Sequence, residues 1–258
     1  MYHSLVTSPP ITAPATDLDR WFDVSAGGCT AHSSALECST YLVGRYLSGD
    51  YTGALFDPFG HEPANRITRS DLLAVRSLSM WRFGLPTFLH DLGFALDADA
   101  AASAVCTVTA CATHIGCLLL QLPVSSTIYT MTPAEHALAD GPLWNVLEAM
   151  FKRSVKKAGT TSLSKTLARK RPALLPILDD IARKRIRLAG GPGPDGNWAF
   201  LRNEIAASAL VRPGVAAIRV DVAVPDHYQD LRLIDIVVWM RQYVRGRLSV
   251  DKGTCAPL

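Results

Sequence analysis

The amino-acid sequence predicts a mainly α-helical protein. Apolar residues recur at intervals of three and four through most of the chain, and two helix starts are marked by Thr68 or Ser70 and by Thr132. A short strand or extended piece is expected after the turn at Gly49 and Asp50, and Val215 to Val224 alternates enough to allow another short extended segment. With 258 residues, of which 48% are hydrophobic, the chain is long enough to bury the core of one large domain or of two lobes.

The predicted elements follow one another along the chain. Residues 1–28 are rich in Pro, Thr, Ser and Gly and are expected to be flexible until Trp21 and Phe22 dock, which leaves residues 29–258 as the helical domain. A helix from Tyr41 is expected to end at the turn of Gly49 and Asp50. Further helices are predicted from Thr68, over Phe88 to Leu96, from Thr132, over Leu143 to Val155, over Trp198 to Leu210 and over Leu231 to Arg245.

One apolar run and the N-terminus bear on the location of the protein. Ala100 to Leu122 contains no Asp, Glu, Lys or Arg, but it is dominated by Ala, Thr, Ser and Cys, which favours a buried helix over a membrane span. The first residues, MYHSLVTSPPITAPATD, lack the basic start and the apolar core of a signal peptide. The six cysteines form no CxxC pair. We therefore expect a cytoplasmic protein with buried thiols, no bound metal and no contact with a membrane.

The positive charge of the chain is concentrated in residues 152–187. This stretch contains twelve Lys and Arg residues and two acids, Asp179 and Asp180, so its net charge is +10, whereas the whole chain carries +3. A basic surface of this kind is typical of proteins that bind nucleic acid. The unspecific alternative is a set of basic faces that are only solvated.

A helical hairpin is predicted within this basic stretch. The pattern of the preceding helix breaks at Ala158-Gly159-Thr160-Thr161, and a second helix is expected to start with Ser162 as its N-cap and to end at Pro172. The N-terminus of such a helix offers free N–H groups and the positive end of its dipole, which favour phosphate. The alternative is an ordinary turn in a helical protein.

A carboxylate follows the hairpin. Leu174 to Leu178 forms an apolar link that Pro176 interrupts, and Asp179 then precedes the basic helical run IARKRIRL. Asp179 is therefore a candidate catalytic carboxylate, with Asp180 as the second choice. Two other roles remain open for Asp179, namely the N-cap of the following helix and an ion pair with a neighbouring Arg.

This order of hairpin, glycine, helix, apolar link and Asp over residues 144–188 resembles the helix-hairpin-helix DNA glycosylase superfamily. In the adenine and thymine-glycol enzymes of that superfamily the catalytic Asp follows the second hairpin glycine by about twenty residues, as Asp179 follows Gly159 here. The segments SKTLARKRPALLPILDD and LRLIDIVVWMR also resemble an actinobacterial family of uncharacterised proteins that carries this hairpin. The resemblance implies a two-lobed helical fold that binds DNA in the cleft between its lobes.

The departures from the superfamily pattern refine this expectation. Lys157 replaces the first glycine of the hairpin, and Thr161 stands where bifunctional members have a Lys that forms a Schiff base. The resemblance therefore implies monofunctional chemistry. Several relatives hold an iron–sulfur cluster through four closely spaced cysteines after the catalytic domain, but only Cys255 lies there, so no cofactor is expected.

The resemblance and the charge pattern together select the candidate site residues. Asp179 and Asp180 are the catalytic candidates. Tyr41, Arg45 and Tyr46 are candidates for a base pocket, although aromatic residues at helical spacing more often belong to a core. The residues predicted to contact DNA are Lys156, Lys157, Gly159, Thr161, Ser162, Lys165, Arg169, Lys170 and Arg171, of which one or more of the last three are expected to pair with acids elsewhere in the fold.

The resemblance implies a monomeric, monofunctional DNA glycosylase. Such an enzyme flips a damaged or modified base out of double-stranded DNA and cleaves its N-glycosidic bond, which leaves an abasic site. The base is either a lesion, which implies DNA repair, or a hypermodified phage base, which implies phage defence. The alternatives are a DNA-binding protein of the same fold without catalysis, and an interaction module whose basic stretch binds an acidic protein or RNA.

Overall fold

The computed structural model describes residues 18–25, 32–49, 53, 56–57, 64–78, 114–146, 160–177, 179 and 197–247. Within these residues the protein is mainly α-helical and has no β-strand, which confirms the predicted helical class. The helices are α1 (Asp19–Phe22), α2 (Ala35–Leu47), α3 (Arg69–Ser77), α4 (Pro133–Leu138), α5 (Thr160–Lys170), α6 (Asn197–Ala207), α7 (Val211–Asp221) and α8 (Asp230–Arg247). Residues 114–120 are also helical, and a π-helix covers Ala139–Leu143. The two-lobed arrangement stays a prediction.

Two helix starts that the sequence predicts are confirmed, and both are built as capping boxes. At the start of α3, the Thr68 hydroxyl accepts the Asp71 N–H, and the Asp71 carboxylate accepts the Thr68 N–H at 2.7 Å. At the start of α4, Thr132 and Glu135 make the same reciprocal pair, with Pro133 in the first turn. Each box satisfies N–H groups that a helix end leaves without intrahelical partners.

Helix α2 is the centre of the core, since it packs against α1, α7 and α8. It begins at the N-cap Ser34, whose hydroxyl accepts the Glu37 N–H, and it buries Leu42 and Val43. The chain leaves the helix through Gly49, which has a φ of 88°. This left-handed conformation suits a glycine, and it confirms the turn predicted at this position.

The expected flexible N-terminal segment does not include residues 18–25. Leu18, Trp21 and Phe22 are buried, because α1 packs against α2 and α7. The Ser39 hydroxyl donates a hydrogen bond to the Trp21 carbonyl at 2.7 Å, and the guanidinium of Arg241 lies 5.8 Å from the Trp21 ring centroid. The predicted docking of Trp21 and Phe22 is confirmed, and it lies before the predicted boundary at residue 29.

The prediction of an extended segment over Val215 to Val224 is wrong. This part of the chain belongs largely to α7, whose buried residues Val211, Val215 and Ile218 follow a helical spacing. The Ser208 hydroxyl accepts the N–H groups of Leu210 and Val211 at 3.1 and 2.9 Å and so supports the start of the helix. Valine and isoleucine favour strands, but here tertiary packing of one helical face outweighs that preference.

The apolar run that ends at Pro123 is described only from residue 114. Ile115, Leu118, Leu119 and Leu122 are buried, as predicted for a core helix. No helix in the part of the chain that the structure describes is long and apolar enough to span a membrane. Cys38 is a buried thiol as expected, whereas Cys117 is exposed, so the expectation of buried cysteines is wrong for Cys117.

Helix α5 is the predicted second helix of the hairpin. It ends at Lys170 shortly before Pro172, as predicted, but it begins at Thr160, so Ser162 lies inside the first turn and is not the N-cap. Helix α5 packs against α3. A small apolar cluster joins the two helices to the residues on either side of them, and it consists of Phe56, Ala74, Val75, Ala168 and Ile177.

Gly214 allows the close approach of α1 to α7, which generates a prediction about stability. A Cβ atom at residue 214 would lie 2.7 Å from the Cβ of Phe22, whereas a Cβ at Gly141 would meet nothing within 4 Å. We expect Gly214→Ala to lower the free energy of unfolding by about 1–3 kcal/mol through overpacking. Gly141→Ala is the matched control and is expected to be neutral or stabilising. Urea denaturation of both variants tests this, and equal effects would contradict the packing argument.

Candidate active site

Four of the predicted site residues lie outside the described residues. These are Lys156, Lys157 and Gly159, for which the sequence predicts a hairpin turn, and Asp180. The helix that Asp179 was expected to cap also lies outside them. The described site therefore comprises α5, the segment up to residue 179, and the parts of the fold that pack against them.

Arg171 was predicted to contact DNA, but the structure places it inside the protein. Its side chain is only 2% exposed, and its guanidinium donates to carbonyl oxygens, including those of Leu122 at 2.6 Å and Ala64 at 2.7 Å. A further N–H donates to Asn65 Oδ1 at 2.6 Å. Burial lowers the pKa of Arg171 to about 10. Arg171 is therefore a structural tie between distant segments and not a surface cation.

Arg169 and Lys170 were also predicted to contact DNA, and both are ion-paired within the fold. The Arg169 Nε donates to Asp71 Oδ1 at 2.9 Å, and Lys170, which is 3% exposed, forms an ion pair with Asp71 Oδ2. The expectation that one or more of these residues pair with acids is confirmed. The prediction that they contact phosphate is therefore corrected. A buried cation that left its carboxylate to bind phosphate would leave an unpaired buried charge, which is costly.

The remaining described residues of the predicted DNA surface are also part of α5. Thr161 is half-buried, and Ser162 is 5% exposed, which withdraws its hydroxyl from a surface. Lys165 is buried too, and its ammonium donates to the Leu78 carbonyl at 2.7 Å. Burial lowers the pKa of Lys165, while the nearby Asp179 carboxylate opposes that shift. Lys165 thus faces Asp179 and not solvent.

The predicted base-pocket residues divide between two faces of α2. Tyr46 is buried, and its hydroxyl accepts a hydrogen bond from Arg232. Tyr41 and Arg45 lie on another face, where Arg45 Nη1 donates to the Tyr41 hydroxyl at 3.2 Å and the tilted His32 ring lies 4.9 Å from the Tyr41 ring centroid. Tyr46 alone of the three lines the cavity beside Asp179. The base-pocket prediction is therefore corrected for Tyr41 and Arg45.

The structure brings Asp179 together with Lys165 and Tyr46 around a small cavity. Its volume is about 20 Å³, and two side chains of α8, Arg232 and Asp235, complete its polar wall. A cavity needs roughly 10–15 Å³ to hold one water molecule. This cavity is therefore large enough for a water and too small for a base. The base-pocket prediction is thus also corrected for Tyr46, which does not line the larger cavity described below.

Arg232 organises this polar wall. Its Nε donates to both carboxylate oxygens of Asp57 at 2.9 Å, and its other N–H groups bind Asp235 and the Tyr46 hydroxyl. Burial raises the pKa of Asp235 to about 6, although the charge of Arg232 opposes this shift and Asp179 adds to it. The pKa of the Asp235 carboxyl thus lies closer to neutral pH than that of an ordinary Asp.

A larger cavity of about 190 Å³ lies next to the small one, since Ile177 and Arg232 line both. Phe56, Leu175 and Leu231 form apolar parts of its wall, and the ion-paired side chains of Asp57, Asp71, Arg169 and Lys170 form polar parts. The guanidinium groups of Arg169 and Arg232 lie 5.8 and 5.1 Å from the Phe56 ring centroid. Arg232 therefore separates a water-sized cavity from one that can hold a small ligand.

Sequence reasoning missed Arg232, Asp235 and Asp57. A signal for the first two was present in the segment LRLIDIVVWMR, where an Arg and an Asp three residues apart interrupt a strongly apolar helix. Charges inside such a helix are costly unless they are paired, and they commonly mark a buried polar site. Asp57 offered no such signal, because it pairs with Arg232 across 175 residues of sequence.

One protein family matches the chain. Residues 92–242 match DUF6308, a family of unknown function, and this segment is more than half of the chain. The chain belongs to the DUF6308 family. No curated protein and no solved structure shows a significant match to it. The segment matched by DUF6308 contains Lys165, Asp179, Arg232 and Asp235, whereas Tyr46 precedes it.

Within the described residues, no group of three or more His, Cys, Asp or Glu is arranged to hold a metal.

The ion pairs of Asp71 predict a strong effect of its neutralisation. Asp71→Asn leaves Arg169 and Lys170 without their buried carboxylate, so we expect the free energy of unfolding to fall by about 3–5 kcal/mol. Asp226→Asn, at an exposed position, is the matched control and should change it by less than about 0.5 kcal/mol. Thermal and urea unfolding measure both. A loss in Asp71→Asn no greater than in the control would show that the pairs do not stabilise the fold.

The raised pKa of Asp235 predicts a specific pH dependence of stability. The folded pKa of about 6 lies above the ordinary value of 3.8, so the folded state binds this proton more tightly than the unfolded state between these pH values. The resulting stabilisation is fully present below about pH 4 and is lost as the pH rises through about 6, with a total of roughly 3 kcal/mol. Unfolding of the wild type and Asp235→Asn across this range measures it. Parallel pH profiles would contradict the shift.

Proposed function

We propose that this protein is a monofunctional DNA glycosylase, a hydrolase that removes a damaged or modified base from double-stranded DNA. The observation that carries the proposal is the position of Asp179 on a cavity of about 20 Å³, next to a cavity of about 190 Å³. A hydrolase of this kind needs a carboxylate, a place for one water and a separate place for the leaving base. The neighbouring cavities supply matching volumes.

The proposed chemistry is the displacement of the base by water. As the bond between C1′ of the sugar and the base nitrogen breaks, its electron pair leaves with the base and positive charge develops on the sugar. The Asp179 carboxylate stabilises that charge and accepts a proton from the water, whose oxygen forms the new bond to C1′. The products are an abasic site with a hydroxyl group at C1′ and the free base, which receives the proton that Asp179 took from the water, so that the carboxylate is restored.

Lys165 and Asp235 are positioning residues in this proposal. The buried ammonium of Lys165 donates to the Leu78 carbonyl and attracts the Asp179 carboxylate electrostatically. Asp235 and Arg232 complete the polar wall on the side of α8. Charges that are fixed before the substrate arrives need not reorganise during the reaction. This electrostatic preorganisation is the largest contribution to the rate enhancement of many enzymes.

The proposed DNA contacts belong to the hairpin turn. Four cations of the predicted surface are buried or ion-paired within the fold, namely Lys165, Arg169, Lys170 and Arg171. We therefore assign the phosphate contacts to Lys156 and Lys157 with the backbone at Gly159. Basic side chains that neutralise phosphates release counterions, so duplex binding should weaken steeply with salt. The base is either a lesion or a hypermodified phage base.

One observation favours a second candidate, a DNA-binding protein of the same fold without catalysis. Lys165 and Arg232 lie on the same cavity wall as Asp179. A carboxylate among buried cations can act purely as an anchor for the segment that follows α5. In this case Asp179 would stabilise the fold and have no part in a reaction.

Asp179→Asn separates the two candidates. Purified protein is incubated with duplexes that carry damaged or hypermodified bases, and abasic sites are detected by strand cleavage after alkali. We expect the wild type to release one of these bases and the variant to do so at least about 100-fold more slowly, because it lacks the charge that stabilises the sugar. Duplex binding of the variant should be unchanged.

The control for this experiment is Asp226→Asn, which changes a carboxylate at an exposed position and should keep full activity. Duplex binding without release of any base would support the non-catalytic candidate. Base release that Asp179→Asn leaves intact would contradict the assignment of Asp179. Absence of both duplex binding and base release would overturn both candidates.

A further inference from the structure

The larger cavity combines an apolar interior with a polar edge. Phe56, Leu175, Ile177 and Leu231 supply apolar surface, and the side chains of Asp57 and Asp71 with their cationic partners supply hydrogen-bonding groups. Val124, which is 60% exposed, and the exposed His227 also line the cavity, which places them at its opening to solvent. A ligand that fits this lining has flat apolar faces and a polar rim.

The charges around the cavity favour a neutral ligand. Three cations and two carboxylates line the cavity, and Asp235, which pairs with Arg232 from the neighbouring small cavity, brings the formal charge of these ion pairs to zero. An anionic ligand would have to compete with the carboxylates that already pair with these cations, and a charged ligand of either sign would lose its own hydration on entry. The same pairs offer both N–H donors and carboxylate acceptors. These groups match a neutral ligand whose rim carries acceptors as well as donors.

The volume of the cavity limits the size of the ligand. At about 190 Å³ it is smaller than the pockets of roughly 300–1,000 Å³ that hold drug-sized ligands. A cavity of roughly 150 Å³ in another protein holds one benzene molecule. The present cavity therefore has room for one six-membered ring with small substituents, and a fused two-ring system would crowd it.

We propose that this cavity binds a neutral, single-ring heterocycle of pyrimidine size, with the ring against Phe56 and Ile177 and its polar edge towards the ion pairs of Arg232 and Asp71. As a statement about the excised base, this inference rests on the proposed function. As a statement about binding it does not, because a free base can occupy the cavity without DNA.

The test measures binding of free bases to the full chain by NMR titration. The probes are uracil, thymine and cytosine, with orotate as a ring of the same size that carries a negative charge. We expect at least one of the three neutral bases to bind, at least tenfold more tightly than orotate, with nuclear Overhauser contacts between the ligand and the Phe56 ring or the Ile177 methyl groups.

A blocking variant and a matched control locate the site. Val124→Trp places a large ring at the opening without altering the buried ion pairs, and it should weaken binding of the base at least tenfold. Val220→Trp makes the same change at a position that is 81% exposed and lines neither cavity, and it should leave the affinity within twofold of the wild type. If Val124→Trp lowers the melting temperature, the site is located instead by the nuclear Overhauser contacts between the ligand and the Phe56 ring in the wild type.

Each other outcome overturns the inference. These outcomes are no binding of any neutral single-ring base, binding that Val124→Trp leaves unchanged, and orotate binding as tightly as the neutral bases. Failure of the proposed function is distinguishable. Free-base binding at this cavity without base release from any duplex would keep the inference and reject the glycosylase. Base release that Val124→Trp does not slow would keep the glycosylase and reject the cavity as its base site.

Discussion

The buried guanidinium of Arg232 is the constraint on which the candidate site depends. It holds Asp57, Asp235 and the Tyr46 hydroxyl at once and lies 5.1 Å from the Phe56 ring centroid. The planar guanidinium offers five donors in a fixed geometry, whereas a lysine ammonium offers three. Because Arg232 lines both cavities, its ion pairs determine where the wall between them lies. Removal of one partner would leave a buried charge that the fold must move to accommodate.

The described cations of the basic stretch are likewise buried or ion-paired within the fold, and they are Lys165, Arg169, Lys170 and Arg171. Asp71 caps α3 through Thr68 and also receives Arg169 and Lys170 of α5, so a single carboxylate fixes a helix start and the hairpin helix behind it. Arg171 extends this connection through carbonyl groups at the end of the helical segment 114–120. Local charge alone therefore overstates the surface available to phosphate. We therefore base the DNA-binding proposal on Lys156 and Lys157 of the predicted hairpin turn.

The sequence predicted those features that depend on neighbouring residues. Both capping boxes, the stop after Lys170 and the turn at Gly49 follow from local backbone chemistry, and each is present. The partners of the cations depend on contacts between distant segments, such as Arg232 with Tyr46 across 186 residues. No local pattern carries that information. The extended segment predicted over Val215 to Val224 was wrong for a related reason. The intrinsic preference of valine for strands is weaker than the stabilisation gained when one face of α7 is buried.

The position of Tyr46 connects the two proposals. Burial raises the pKa of its phenol, so the hydroxyl stays protonated and accepts from Arg232 beside the water-sized cavity. Gly53 lies so near that a Cβ atom there would stand 2.1 Å from this hydroxyl. Tyr46 and Gly53 thus pack closely on one side of the small cavity, whereas the larger cavity opens beside Val124. In the proposed reaction, Asp179 and the base occupy neighbouring cavities, and both cavities are lined by Arg232 and Ile177.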